Sequence, residues 1–163
     1  MLAPAAAVFS LLLIITGIAK IARPRDVERA LAQMGMPRVR GTGLVLGFLE
    51  VVVGVSALVF QGVLIIQAVL FTGFAIWVLL ALRSNVPLAS CGCLGREDTP
   101  PTSAHVVLNV VGALVSSGAA FGAPLHIGSG LESVALAVTV AVGVFLGYIV
   151  LTDLAAVAGA KHR

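Results

Sequence analysis

Cys91 and Cys93 are the two cysteines of the chain, and a single glycine separates them in Ser90-Cys91-Gly92-Cys93-Leu94-Gly95. Thiols at that spacing support several chemistries. In the first, the pair cycles between dithiol and disulfide. A disulfide needs Cα atoms roughly 4.4–6.8 Å apart, which a turn across Gly92 allows. So small a ring is strained, and strained or exposed disulfides belong to the labile, reactive class. In the second, the thiolates hold a metal ion. They supply only half of a tetrahedral site, with His105 the nearby third ligand, although soft copper(I) can use two thiolates. In the third, a static disulfide closes a loop too short to stabilise much. The remaining reading is two small loop residues with no role. The absence of other cysteines, the central glycine and the position between two apolar stretches favour redox exchange, without a metal.

The elements that must position this pair follow from composition. The chain is 60% hydrophobic and 10% charged, whereas a soluble domain carries about 25% charged residues. Five stretches are apolar enough to cross the roughly 30 Å hydrocarbon core as helices, over residues 4–22, 42–60, 62–82, 104–123 and 133–152. The expected fold class is therefore all-α, a polytopic membrane helix bundle in a single integral membrane domain. The cysteine connection occupies residues 83–103. No Lys or Arg precedes Lys20, so the first stretch reads as a retained helix and not as a signal peptide.

The ten Lys and Arg sort to one side of such a bundle. Lys20, Arg23, Arg25, Arg29, Arg38 and Arg40 lie in or beside the first connection, Arg83 and Arg96 in the third, and Lys161 and Arg163 in the tail. The opposite connections, Gln61-Gly62 and Pro124–Glu132, carry none. The positive-inside rule then puts the cysteine loop on the cytoplasmic side. The net charge of +3 reports orientation, and no nucleic-acid-binding pattern is present.

Smaller signals fill in the bundle. Val27, Ala30, Leu31 and Met34 recur at helical spacing, predicting a short interfacial helix ended by Gly35 and Pro37, with its arginines at lipid headgroups. The tight turn at Gln61-Gly62 predicts antiparallel neighbours. Gly118/Gly122 and Gly143/Gly147 are spaced for helix packing. Thr102 or Ser103 is expected to cap the fourth span, and Asp153 to mark the end of the fifth.

Glu50 lies about half a helix into the second span. A carboxylate at that depth is costly unless paired. Lys20, ending the first span on the same side, is its expected partner, against a reading in which Lys20 snorkels outward and Glu50 is protonated. Asn109, Gln67 and Ser116-Ser117 are expected as interhelical hydrogen-bond partners. His105 could act as a base near the cysteines, or be an interfacial residue without a role.

These residues resemble one family. The Cys-Gly-Cys stretch after a long apolar helix, followed by Glu97-Asp98, prolines and a helix carrying Asn109, is similar to the MauE family of methylamine-utilisation membrane proteins, within the DoxX-like group. The family's signature is Cys-Gly-Cys-Phe-Gly. Cys91, Gly92, Cys93 and Gly95 match it, and Leu94 replaces the phenylalanine. "GIAK" with Gly17 and Lys20, and "GFLEVVVG" with Gly47, Glu50 and Gly54, resemble the wider DoxX-like pattern. The resemblance implies a four-helix membrane core, here with a fifth span, in a bacterial inner membrane. It also implies thiol chemistry beside a thioredoxin-like partner, since founding members help mature the disulfide-rich subunit of methylamine dehydrogenase. That maturation is periplasmic, whereas the charges here place the cysteines in the cytoplasm. The expected function is thiol–disulfide exchange between such a partner and a client or acceptor, for which a quinone would serve. The alternatives are a non-catalytic membrane scaffold and a small metal or solute carrier.

Overall fold

A computed structural model describes residues 2–37, 39–84, 102–122 and 131–160, with the backbone alone at 131–132 and 151–160. The described residues form six helices: α1 (Leu2–Ala22), α2 (Pro24–Gln33), α3 (Thr42–Val59), α4 (Val63–Arg83), α5 (Ser103–Ala120) and α6 (Leu131–Ala160). All but α2 are long and apolar enough to cross a membrane. The helical conformation follows from the solvent: in hydrocarbon a backbone amide has no partner except the carbonyl one turn back. The fold class is the all-helical membrane bundle expected.

Polarity is distributed accordingly. Large apolar side chains cover the outside, among them Val45, Phe48, Val52, Val69, Leu114 and Phe145. Ser10, Glu50, Gln67, His105 and Ser116 are fully enclosed. Such an arrangement suits a lipid surround, in which apolar exposure costs nothing and polar groups must find one another inside.

Helix α1 is the centre of the bundle. It packs most extensively on α3, and also on α5 and α6, while α4 and α5 form the second large pairing. Phe9 and Leu13 of α1, Val53 of α3 and Phe71 of α4 make the main apolar cluster, with the Phe9 and Phe71 rings edge to face at 5.5 Å between centroids. Ser10 lies against Gly54 and Gly17 against Gly47, so α1 and α3 run antiparallel. Val8 lies against Gly143 and Leu12 against Gly147, so α1 and α6 run parallel. The C-termini of α1 and α4 and the N-termini of α3 and α5 therefore share one end of the bundle. The segment carrying Cys91 and Cys93 leaves and re-enters the helices at that end.

Helices α3 and α4, joined by the short Phe60–Gly62 turn, are the antiparallel neighbours expected, with a thin shared surface. Gly118, Gly143 and Gly147 do receive α1 side chains, whereas Gly122 lies past the end of α5, where a Cβ would meet only its own segment, so Gly122 does not pair with Gly118 in helix packing. The α6 helix itself continues past Asp153 to Ala160.

Helix α2 is the short amphipathic element expected. Pro24 starts it where a missing N–H costs nothing. Its end is closed by two backbone bonds, Gly35 N–H to the Ala32 carbonyl at 3.1 Å and Met36 N–H to the Leu31 carbonyl at 3.1 Å, with Gly35 at φ 76°. That Schellman closure demands the left-handed backbone that glycine tolerates. Asp26 and Glu28 of α2 are buried, not turned to headgroups. Glu28 accepts the Gly41 amide at 2.7 Å, at the N-terminus of α3, where a carboxylate also meets the positive end of the helix dipole. Asp26 pairs with Arg29 one turn on. The helix is thus tied under the start of α3.

Candidate functional site

The site begins with two glycines. A Cβ on Gly17 would lie 2.7 Å from the Gly47 carbonyl oxygen, and a Cβ on Gly47 would lie 2.7 Å from the Gly17 carbonyl oxygen. Real Cβ atoms do not approach so closely, so only glycine at both positions lets the α1 and α3 backbones touch here. Close approach of this kind is how membrane helices gain packing energy without a hydrophobic driving force.

That contact places Lys20, one turn beyond Gly17, against Glu50, one turn beyond Gly47. Lys20 Nζ stands 2.8 Å from Glu50 Oε2, with the two side chains 5% and 0% exposed. Thr16, one turn before Lys20, donates its hydroxyl to the same oxygen at 3.0 Å. Glu50 Oε1 is buried without a hydrogen-bond partner among the described residues. The Lys20 ammonium also stands 5.3 Å from the centre of the Phe74 ring on α4, within cation–π range. Lys20 therefore does not snorkel. Its side chain turns inward and links three helices.

Lys20 forms part of the wall of a cavity of about 420 Å³ among α1, α2, α3 and α4. Phe74 and Trp77 supply aromatic surface, and Leu31 and Leu46 supply aliphatic surface. Deeper in the bundle, Ser10 donates to Gln67 Oε1 at 2.8 Å and Gln67 Nε2 donates to Ser116 at 3.0 Å. This chain of hydrogen bonds ties α1, α4 and α5 together, as expected for Gln67 and Ser116.

Asn109 differs from expectation, and His105, in the first turn of α5, is fully enclosed by protein. The His105 Nδ1 lies 2.8 Å from the Thr102 hydroxyl, and its Nε2 has no hydrogen-bond partner among the described residues. Thr102 holds the N-cap position of α5 with an extended backbone, but its hydroxyl is engaged by His105 and makes no capping bond. The Asn109 amide donates to the His105 carbonyl at 2.7 Å, one turn back in its own helix. These two residues form a local polar cluster at the mouth of α5.

Cys91 and Cys93, with Arg96, Glu97 and Asp98, lie outside the described residues. Of the other expected site residues, the structure brings Lys20 and Glu50 together and sets His105 and Asn109 side by side on α5. Reading the sequence missed Thr16, Phe74, Trp77, Asp26 and Glu28. Thr16 was findable, because it stands four residues before Lys20 and so on the same helix face. Phe74 and Trp77 belong to an apolar run in which nothing marks the residues that line a cavity.

The fold and the inward-turned polar groups define a multi-pass helical membrane protein with a buried ion pair at one end. The family comparison makes this particular. A family model described as methylamine utilisation protein MauE matches residues 1–125. The chain belongs to the MauE family. The match runs through α5 and leaves α6 outside it. No curated protein and no solved structure matches the chain.

Proposed function

We propose that this MauE-family protein performs thiol–disulfide exchange through Cys91 and Cys93. The pair would pass electrons or disulfides between a thioredoxin-like protein and a client or acceptor, in the service of methylamine utilisation. The observation that carries the reading is that the chain's two cysteines lie one residue apart within the family-matched region. Their connection also runs from the C-terminus of α4 to the N-terminus of α5, at the end of the bundle that carries Lys20 and His105.

The exchange balances as follows. A thiolate of the Cys91/Cys93 dithiol attacks a disulfide sulfur of the partner. The partner's S–S bond breaks, one partner sulfur leaves as a thiolate, and a mixed disulfide forms. The second cysteine, as its thiolate, attacks the mixed disulfide, closes the Cys91–Cys93 bond and releases the other partner sulfur. Two electrons have moved to the partner, whose two sulfurs take up the protons the dithiol lost. Run backwards, the same steps oxidise a client. The ten Lys and Arg motivate a cytoplasmic location for this chemistry.

Changing the resolving cysteine to serine removes the second step. Cys91→Ser and Cys93→Ser are therefore expected to differ, with one of them accumulating a covalent partner that disappears on reduction. If neither variant captures a partner and both retain biological activity, a non-catalytic scaffold replaces the redox reading.

A further inference from the structure

Helices α3 and α4 meet near their connecting turn, where Ala57 and Leu64 share a small apolar cluster. Toward the opposite end they are separated by the 420 Å³ cavity. That volume falls in the range of small-molecule sites, roughly 300–1,000 Å³. Its α4 wall includes Val69, 65% exposed, and the exposed Gly73, so it opens on the apolar outer surface that faces lipid. Its entrant comes from the membrane.

The walls restrict what that entrant is. They are apolar and include Phe74 and Trp77, with Lys20 at one end, its ammonium 2.8 Å from Glu50 Oε2 and 5.3 Å from the centre of the Phe74 ring. Aromatic walls favour a flat conjugated ring. The Lys20 ammonium presents a positive field to a carbonyl oxygen. It is already neutralised by Glu50 at 2.8 Å, so an anionic head would add a net negative charge to a site of low dielectric, and a neutral acceptor would not. A neutral, flat, membrane-dissolved dicarbonyl ring meets all three conditions.

We propose that this cavity binds the head ring of a membrane quinone, against Phe74 and Trp77, with a ring carbonyl facing the Lys20 ammonium. A quinone that accepts two electrons and two protons from a dithiol becomes a quinol and leaves a disulfide. The role as acceptor rests on the thiol-exchange reading above; the binding does not, and the experiment reads binding alone.

Trp77 is the chain's single tryptophan and lines the cavity, so its fluorescence is a built-in probe. The full-length chain in quinone-free phosphatidylcholine nanodiscs would be titrated with a decyl-tailed benzoquinone. Saturable quenching of Trp77 is expected, unchanged in the Cys91→Ser/Cys93→Ser double variant. Gly73→Leu is the decisive control, because a Cβ at Gly73 meets nothing within 4 Å and the added side chain can fill the cavity without disturbing the fold. It should leave only the linear quenching due to partition into the bilayer. Lys20→Met should weaken binding about tenfold, in keeping with loss of a charged hydrogen-bond donor. Linear quenching in the native chain, saturation undiminished in Gly73→Leu, or full displacement by methyl laurate, an acyl ester without a ring, would each overturn the assignment.

Discussion

Glu50→Ala is the sharpest perturbation of the bundle. It removes the carboxylate 2.8 Å from the Lys20 ammonium, where both side chains are almost wholly enclosed. At that separation two unit charges attract by about 6 kcal/mol for an effective dielectric constant near 20. Desolvation of both groups offsets much of this in the intact pair. Breaking the pair from one side leaves the desolvation without its compensation, at a cost of about 3–5 kcal/mol. Glu50→Ala also removes one of the two acceptors of the Thr16 hydroxyl, leaving the Leu13 carbonyl at 3.1 Å. Removing Lys20 as well relieves the stranded ammonium, so the double variant Lys20→Ala/Glu50→Ala should be less destabilised than the sum of the single variants. The expected coupling is about 2–3 kcal/mol. The assay is reversible unfolding by SDS out of mixed micelles, followed by helical circular dichroism and by Trp77 fluorescence. A coupling near 0.6 kcal/mol would be that of an ordinary interhelical hydrogen bond. That result, or simple additivity, would refute the claim that the pair acts as a buried ion pair.

Other outcomes follow from the same packing. Gly47→Val places a Cβ 2.7 Å from the Gly17 carbonyl oxygen and should cost about 1–3 kcal/mol in the same unfolding assay. Gly73→Ala, with open space around it, should be neutral or stabilising by up to about 1 kcal/mol. Gln67→Leu breaks both side-chain bonds between α1, α4 and α5 and should cost about 1–2 kcal/mol, less than Glu50→Ala because no charge is stranded. Reporters fused after Leu94 and within residues 124–132 should register on opposite sides of the membrane, the first in the cytoplasm; a periplasmic signal at Leu94 would reverse the orientation drawn from the basic residues.

Much of the bundle was legible because lipid removes choices. A long uncharged run has one stable conformation in hydrocarbon, so the five long helices appear where hydropathy puts them. The amphipathic repeat of α2 and its closure at Gly35 were equally direct. The pairing of helices was less so. Spacing of glycines suggested Gly118/Gly122 as a contact, but whether a glycine faces a neighbour depends on where its helix ends. Gly17 and Gly47 bring the α1 and α3 backbones together, and nothing in their spacing distinguishes them from the others. At the site, the cost of an isolated buried charge was enough to bring Lys20 and Glu50 together. The burial of His105, the turn of Asn109 back to its own helix and the aromatic cavity depend on side-chain directions that hydropathy does not encode. The burial of Asp26 and Glu28 follows from α2 folding beneath α3, which no residue pattern marks.

The most direct test of thiol exchange is a redox titration of the two cysteines in the intact, membrane-reconstituted chain. The protein would be equilibrated in glutathione buffers of graded potential, quenched with acid, tagged with a thiol reagent of known mass and weighed whole. Exchange through a Cys91–Cys93 disulfide predicts two populations at every potential, one with both thiols tagged and one with neither, interchanging as a single two-electron couple with a tenfold change in ratio for about 30 mV. A dominant singly tagged population, or two free thiols at every potential, would contradict it.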